Sequence, residues 1–280
     1  MRLPLLVALT MIAFAANSLL NRMAVDGGDI SSAGYAAIRV AAGAAMLGVL
    51  AMLRGQTLPL GHRRRWAGAI SLAAYMIGFS LAYQTLDAGL GALILFGVVQ
   101  IVLFGLSTFS GAPIALRQIA GAAVAFGGLC WILLPGGGTE VSVTGAGWMI
   151  AAGAGWAVYT FAGRGEPAAL PGSAANFLLA LPLCLLPLLV LPDQGIPTTR
   201  GIVLAVLGGA VTSGLGYALW YTLLPRLSGP TAATVQLSVP VIALIAGALL
   251  LGEAPGMQLV LGAAVVLGGI ALGLPARAKG

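Results

Sequence analysis

Long apolar stretches, interrupted by short polar turns, make up most of this sequence. An α-helix needs about 20 apolar residues to cross the hydrocarbon core of a bilayer. Ten stretches meet that length, at roughly 3–21, 31–53, 66–86, 88–107, 113–134, 144–163, 172–191, 200–222, 229–251 and 256–274. The pattern therefore predicts an all-α integral membrane protein with ten transmembrane helices.

One eight-residue motif occurs twice in the chain. Residues 121–128 read GAAVAFGG and residues 262–269 read GAAVVLGG, so six of the eight positions are identical. The copies predict a first repeat over 1–135 and a second over 144–280, with five helices each. Because five is odd, the repeats must lie in opposite senses across the membrane, as in secondary transporters built around a central cavity. A chance match in a chain rich in Gly and Ala is the alternative.

The glycines of the two motifs also predict close packing. Small residues allow helix backbones to approach one another inside a membrane. We therefore expect the fifth and tenth helices to form a scaffold or an interface, but no ligand site.

The composition agrees with this class of protein. Hydrophobic residues make up 60% of the chain and charged residues 7%, whereas a soluble domain carries about 25% charged residues. The net charge of +6 is therefore no sign of nucleic-acid binding, and the bilayer itself is the expected partner. Cys130 and Cys184 lie within apolar stretches, so they indicate neither a disulfide framework nor a metal site.

The basic residues predict the orientation of the chain. With the N-terminus in the cytoplasm, ten of the thirteen Lys and Arg residues fall in inner loops or termini, and Arg22 and Arg200 fall outside. Inner loops carry an excess of Lys and Arg. We therefore expect a multi-pass protein of the bacterial inner (cytoplasmic) membrane, with both termini in the cytoplasm.

The sequence contains no pattern of catalytic residues. Its one histidine, His62, lies beside Arg63, Arg64 and Arg65 in a basic loop, and no phosphate-binding G-x-x-x-x-G-K-[ST] motif occurs. We therefore expect neither an enzyme nor a bound metal or cofactor, and transport would have to draw on a gradient.

Aromatic and amide side chains inside the apolar stretches are the candidate substrate ligands. Tyr75, Phe79 and Tyr83 recur at helical spacing, and Trp156 and Tyr159 lie three residues apart, where side chains share a helix face. Buried Tyr and Trp need partners for their polar atoms, and an aqueous cavity supplies them. The full candidate set is Tyr75, Phe79, Tyr83, Gln100, Trp156, Tyr159, Trp220 and Gln236.

Each group of candidates also has a structural interpretation. Aromatic residues near helix ends commonly form the interfacial belt of a membrane protein. That interpretation fits Tyr83, Tyr217, Trp220 and Tyr221. The amides of Gln100 and Gln236 could equally form hydrogen bonds between helices.

Three further residues are candidates for structural or gating roles. Arg39 is the one basic residue placed well inside a predicted helix, and a charge at that depth costs about 2.5–3.5 kcal/mol. Its position in the second repeat corresponds to Asn176, which is neutral. Because only one of these two equivalent positions carries a charge, a scaffold role is favoured for Arg39 over a role as a substrate ligand. Pro240 interrupts the hydrogen bonding of the ninth predicted helix, and the freed carbonyls need other partners.

Particular stretches resemble a known family. They are Ile38-Arg39-Val40 in the second helix, Leu251-Gly252-Glu253 with Gln258 and Gly262 between the ninth and tenth, and Trp156 with Arg164 in the sixth. With the five-plus-five arrangement, these residues resemble the EamA-type drug/metabolite transporters, and among them the YddG-like amino-acid exporters. The resemblance implies a central cavity lined by helices 3, 4, 6, 8 and 9.

Two departures from the family pattern bear on this expectation. The first half has Ser110-Gly111-Ala112 where the second has Leu251-Gly252-Glu253, so its acidic residue is absent. Phe14 stands in the first helix where the family frequently has tryptophan.

The resulting hypothesis is a monomeric or weakly dimeric secondary transporter that exports small metabolites, most of all amino acids including aromatic ones, by alternating access. A multidrug exporter of lipophilic cations is the alternative within the fold, although an intramembrane carboxylate would be expected for it and none is found in the apolar stretches. A non-transporting membrane scaffold or receptor is the alternative from another class.

The predicted topology can be tested by cysteine labelling. Single cysteines at positions 64 and 140, in protein lacking Cys130 and Cys184, should react with a membrane-impermeant reagent from opposite sides of intact cells. Position 64 should be protected from outside and position 140 labelled. Labelling of both from outside would exclude the ten-helix topology.

Overall fold

The computed structural model describes residues 2–61, 63–109, 115–134, 141–163, 166, 168–191, 195–223, 226–227 and 235–273. Within these ranges the chain forms ten helices: α1 Arg2–Val25, α2 Ser32–Leu53, α3 Arg63–Ala82, α4 Ala88–Phe109, α5 Leu116–Leu133, α6 Val143–Gly163, α7 Ala169–Val190, α8 Thr199–Leu223, α9 Ser238–Leu250 and α10 Met257–Gly273. His62, Ser110-Gly111-Ala112, Glu140 and most of the link between the predicted repeats lie outside the described residues.

The helices have the length and surface of membrane spans. Six of them, α1, α2, α4, α5, α7 and α8, are long and apolar enough to cross a bilayer, and α9 and α10 are shorter apolar helices. Large apolar side chains such as Phe109, Leu189 and Leu249 point outward with 91%, 83% and 79% of their surface exposed. Such a surface is stable in lipid and unfavourable in water. The chain is therefore a multi-pass membrane protein.

Polar residues at the ends of apolar stretches set where helices begin. Ser31 precedes α2, and its hydroxyl accepts a hydrogen bond of 3.0 Å from the backbone N–H of Gly34. Thr198 precedes α8 and accepts one of 3.0 Å from Gly201. These bonds satisfy N–H groups that have no partner within the helix.

The helices pack in a small number of extensive pairs. The largest contacts join α3 to α6, α5 to α10, α2 to α7 and α2 to α8, and further contacts join α1 to α8, α4 to α6 and α4 to α9. One large apolar core runs through most of these pairs, and a smaller one lies among α1, α2 and α8.

The helix α8 changes its winding in the middle. Residues Leu207–Leu215 are π-helical between two α-helical stretches. The hydroxyls of Thr212 and Ser213 donate to the carbonyl of Gly208 at 2.9 Å and 2.7 Å. A π-helical stretch inside an α-helix is frequent at functional sites because it redirects side chains.

Glycines bring α5 and α10 into backbone contact, as the repeated motif predicts. A Cβ atom added at Gly121 would lie 2.5 Å from the carbonyl oxygen of Gly269, and one added at Gly269 would lie 2.5 Å from the backbone nitrogen of Ala125. At these positions any larger residue would have to displace the backbone.

Two adjacent glycines of α10 provide a matched test of this packing. An added Cβ at Gly268 would have no atom within 4 Å among the described residues, whereas Gly269 faces Ala125. Gly269→Ala should lower the stability by about 1–3 kcal/mol through overpacking. Gly268→Ala should be neutral or stabilise by about 0.5–1 kcal/mol through helix propensity. Thermal unfolding in detergent would measure both, and equal changes in Tm would contradict the assigned interface.

Candidate functional site

A single arginine lies at the centre of the helix bundle. Arg39 of α2 is completely buried. Its Nε donates to the Ser213 hydroxyl at 3.0 Å, and its Nη2 donates to the Tyr75 hydroxyl at 2.9 Å. Its guanidinium carbon lies 4.9 Å from the ring centre of Phe79 and 5.2 Å from that of Tyr75.

These contacts stabilise the buried charge without neutralising it. Hydrogen bonds to charged groups contribute about 1.5–3 kcal/mol and contact with an aromatic ring about 0.5–2 kcal/mol. Among the described residues no carboxylate forms an ion pair with Arg39, and its Nη1 has no hydrogen-bond partner. A buried cation that lacks an anionic partner is a strong site for an incoming anionic group.

The two rings that contact Arg39, those of Tyr75 and Phe79, belong to a larger group of aromatic side chains that we call the ring cluster. Neighbouring ring centres in it are 4.7–6.3 Å apart. Its members are Phe14, Tyr75, Phe79, Tyr83, Trp156, Tyr159, Phe177, Tyr217 and Trp220. They come from α1, α3, α6, α7 and α8 and from the residue just after α3, so the cluster joins both halves of the chain.

Trp156 is the centre of the ring cluster. Its ring contacts those of Phe14, Tyr75, Tyr159 and Tyr217, with centres 5.0–6.3 Å apart. The tilted and edge-on geometries are those that aromatic pairs prefer. The Tyr75 hydroxyl also connects the cluster to Arg39 by accepting a hydrogen bond from its guanidinium.

The model of the EamA-like transporter family matches residues 143–274. Uncharacterized protein PA1977 of Pseudomonas aeruginosa is 44% identical to this chain over 273 residues, which cover 98% of this chain and 94% of that protein. This chain belongs to the EamA-like transporter family. Its members are transporters, and the chain is a transporter of the EamA-type drug/metabolite superfamily.

Two further proteins are similar to this chain. A probable terminal-alkyne amino-acid exporter of Streptantibioticus cattleyicolor is 28% identical over 280 residues, which cover 95% of this chain and 91% of that protein. A solved crystal structure has a TM-score of 0.65 and 20% identity over 95% of this chain and 97% of that one, which shows the fold alone.

The structure of this EamA transporter brings six of the eight candidate substrate ligands together. They are Tyr75, Phe79, Tyr83, Trp156, Tyr159 and Trp220. Tyr83, Tyr217 and Trp220 are 0%, 2% and 4% exposed. The interfacial-belt interpretation of these three residues is therefore wrong, since a belt residue must reach the bilayer surface. Whether any of the six binds substrate stays a prediction.

The remaining candidates lie elsewhere on the helices. Gln100 is half-buried on α4, and Gln236 is half-buried just before α9. Asn176 of α7 is buried. Pro240 lies in the first turn of α9, which begins at Ser238. Its missing N–H is therefore one that would have had no partner within the helix. The roles of these four residues stay predictions.

Sequence reasoning did not assign five residues that complete the site. Phe14 and Tyr217 belong to the ring cluster, and Asn17 Oδ1 lies within hydrogen-bonding distance of the Thr212 hydroxyl at 2.6 Å and of the Ser213 hydroxyl at 3.3 Å. Tyr217 had a usable signal, because it lies three residues before Trp220 and so shares its face. Nothing in the sequence pairs Asn17 with a segment almost 200 residues away.

The family motif at Leu251-Gly252-Glu253 closes one end of the EamA fold. Glu253 Oε1 accepts a hydrogen bond of 2.7 Å from the N–H of Ala88, the first residue of α4. Gly252 allows the turn by adopting a φ of 68°, where other residues are strained. Burial raises the pKa of the Glu253 carboxyl above its ordinary value, while the Ala88 hydrogen bond and nearby Arg22 act in the opposite direction. The motif acid is thus a helix cap at the bundle end.

Proposed function

We propose that this EamA transporter exports amino acids, including aromatic ones, or closely related small zwitterions across the cytoplasmic membrane. The observation that carries the proposal is the position of Arg39 in the ring cluster, with its Nη1 unpaired. The carboxylate of an amino acid would take the free guanidinium position, and the rings would contact its side chain.

The charge at the site favours this cargo over a lipophilic cation. A cation would have to enter a cluster that already contains a buried positive charge, and the described part of the cluster offers no acidic side chain to receive it. Like charges at short distance in a low-dielectric interior repel strongly. A carboxylate would instead relieve the unpaired charge of Arg39. We therefore propose that Arg39 acts on substrate directly, in addition to the structural role expected from the sequence.

The name of one relative supports the same substrate class. The Streptantibioticus cattleyicolor protein, which this chain matches over nearly its whole length, is called a probable terminal-alkyne amino-acid exporter. An amino acid with any side chain presents the same carboxylate and ammonium, so the proposed contact with Arg39 would suit a broad set of amino acids.

We further propose that the chain is built as two inverted five-helix repeats. In two five-helix repeats, α1 corresponds to α6, α2 to α7, α3 to α8, and so on. Under this correspondence the contact of α3 with α6 matches that of α8 with α1, and the contact of α2 with α8 matches that of α7 with α3. The pairs α2 with α7, α4 with α9 and α5 with α10 map onto themselves. This correspondence supports a repeat, and the odd number of helices makes it inverted.

Two ion pairs occupy corresponding places in the proposed repeats. Asp29, three residues before α2, pairs with Arg200 in the first turn of α8 at 2.7 Å. Glu166, three residues before α7, pairs with Arg65 in the first turn of α3 at 2.5 Å. We propose that the Arg65 end faces the cytoplasm and the Arg200 end the outside, in line with the distribution of basic residues.

Alternating access would then require the ring cluster to open toward one end at a time. The rings contact one another directly, so cargo must separate them to reach Arg39. Ring contact with an ammonium contributes about 0.5–2 kcal/mol, which suits the weak binding that an exporter needs to release its cargo.

A matched pair of tryptophans on α6 tests the proposed function. Trp156 is the centre of the ring cluster, whereas Trp148 is 43% exposed on the same helix. In proteoliposomes, Trp156→Ala should lower the flux of labelled phenylalanine at least about tenfold per folded protein, which corresponds to about 1.4 kcal/mol. Trp148→Ala should transport at the wild-type rate.

Folding must be measured in the same samples, because removal of a buried tryptophan costs stability. Flux is therefore compared below the unfolding temperature of each variant. Normal flux in Trp156→Ala would refute the ring cluster as the substrate path. Transport of a cationic dye but no amino acid by the wild type would favour the multidrug alternative, and no transport of any compound would favour a scaffold or receptor.

A further inference from the structure

A second cluster of polar side chains, separate from that of Arg39, lies near one end of the bundle. Arg65 of α3 and Glu166, just before α7, form an ion pair with Nη2 and Oε2 2.5 Å apart. Their side chains are 9% and 20% exposed, so the pair is mostly shielded from solvent. It adjoins a cavity of about 50 Å³ whose polar lining is Arg65, Tyr159, Glu166, Ser173, Asn176 and Tyr221.

The cavity has hydrogen-bonding capacity that the protein does not use. Arg65 Nε is a buried donor and Asn176 Oδ1 a buried acceptor, and neither has a hydrogen-bond partner among the described residues. Leaving a buried polar group without a hydrogen-bond partner is energetically unfavourable. A donor and an acceptor left open beside an ion pair indicate a ligand that carries both kinds of group.

Two glycines keep the surroundings of the ion pair clear of side chains. A Cβ atom at Gly172 would lie 2.8 Å from Arg65 Nη1 and 3.0 Å from the carboxyl carbon of Glu166. A Cβ atom at Gly68 would lie 2.8 Å from Asn176 Nδ2. Glycine at these positions of α3 and α7 therefore leaves the space that the polar groups occupy.

Tyr159 connects this cavity with the ring cluster. Its hydroxyl lies among the polar side chains of Ser173, Asn176 and Tyr221, and its ring centre is 5.6 Å from that of Trp156. A molecule in the cavity would thus touch the same side chain that contacts the centre of the ring cluster.

We propose that the Arg65–Glu166 pair is a loading site that selects zwitterions, with Arg65 binding the carboxylate of the cargo and Glu166 its ammonium. The proposal rests on the proposed function and on the cytoplasmic orientation of this end. Arg65 and Glu166 bind each other when the site is empty. When a zwitterion binds, its carboxylate takes the place of Glu166 beside Arg65, and its ammonium takes the place of Arg65 beside Glu166.

The energetics of ion-pair exchange explain why a zwitterion is favoured. Separating a buried ion pair without replacing both partners leaves an uncompensated charge, which is strongly unfavourable. An amine without a carboxylate would compensate Glu166 and leave Arg65 unpaired, and a carboxylate without an ammonium would do the reverse. Only a molecule that carries both charges leaves no charge unpaired.

The size of the cavity requires the pair to separate for loading. Pockets that hold small-molecule ligands have volumes of about 300–1,000 Å³, so a cavity of about 50 Å³ cannot hold an amino acid. The pair therefore closes this end of the path when no cargo is bound, and cargo opens it by exchanging partners.

The test uses three compounds with the same ring and different charges. Phenylalanine is a zwitterion, phenethylamine lacks the carboxylate, and N-acetylphenylalanine lacks the ammonium. Wild-type protein in proteoliposomes should transport phenylalanine at least about tenfold faster than either analogue. Glu166→Gln should lose about tenfold of the preference over N-acetylphenylalanine, and Arg65→Gln about tenfold of the preference over phenethylamine. Arg117→Gln, which removes a positive charge at the start of α5, should keep both preferences.

A double variant covers the case in which a single substitution prevents folding. Arg65→Gln/Glu166→Gln removes both charges and leaves neither unpaired, so it should fold, and its preference for phenylalanine over both analogues should fall about tenfold. Folded double variant with the wild-type preferences would overturn the loading site while leaving amino-acid export intact. Failure of wild-type protein to transport phenylalanine would instead overturn the proposed function, and the loading site with it.

Discussion

The buried charge of Arg39 is the constraint on which the arrangement of the bundle depends. A guanidinium inside an apolar helix bundle must be compensated, and in the described residues the compensation comes from neutral groups. Ser213 can reach Nε because the π-helical stretch of α8 presents it toward α2. Gly209 allows that approach, since a Cβ there would collide with the backbone of Arg39. The winding of α8, the glycine at position 209 and the packing of the rings thus all help to stabilise the charge of Arg39.

The compensation of Arg39 by neutral groups has a consequence for transport. An acidic partner in the protein would satisfy Arg39 permanently, whereas hydroxyls and ring faces leave Nη1 open. We propose that cargo supplies the missing negative charge in each cycle and departs with it. The Arg65–Glu166 pair is the complementary solution, because its two charges compensate each other until a zwitterion exchanges with both.

The sequence predicted the fold more completely than the site. Hydrophobic stretch length is set by bilayer thickness, so the helices were predictable from the sequence alone. The glycines of α5 and α10 predicted close packing, and the structure shows that the two helices pack against each other. Aromatic spacing also predicted that Tyr75, Phe79 and Trp156 lie in the interior. The partners of Arg39 were not predictable, because Ser213 is one hydroxyl among many and its position depends on a local π-helical turn. Nothing in the sequence pairs Arg65 with Glu166 either, because they lie about 100 residues apart and meet only in the tertiary structure.

Equilibrium binding to protein altered at Arg39 tests the central claim most directly. Phenylalanine and phenethylamine would be titrated into purified wild type, Arg39→Gln and, as a control at an exposed ion pair, Arg200→Gln. A hydrogen-bonded charge pair contributes about 1.5–3 kcal/mol, so Arg39→Gln should weaken phenylalanine binding about 10- to 150-fold without weakening phenethylamine binding, and Arg200→Gln should bind both as wild type does. Wild-type affinity of folded Arg39→Gln for phenylalanine would contradict the account, because the cargo carboxylate could then have no contact with Arg39.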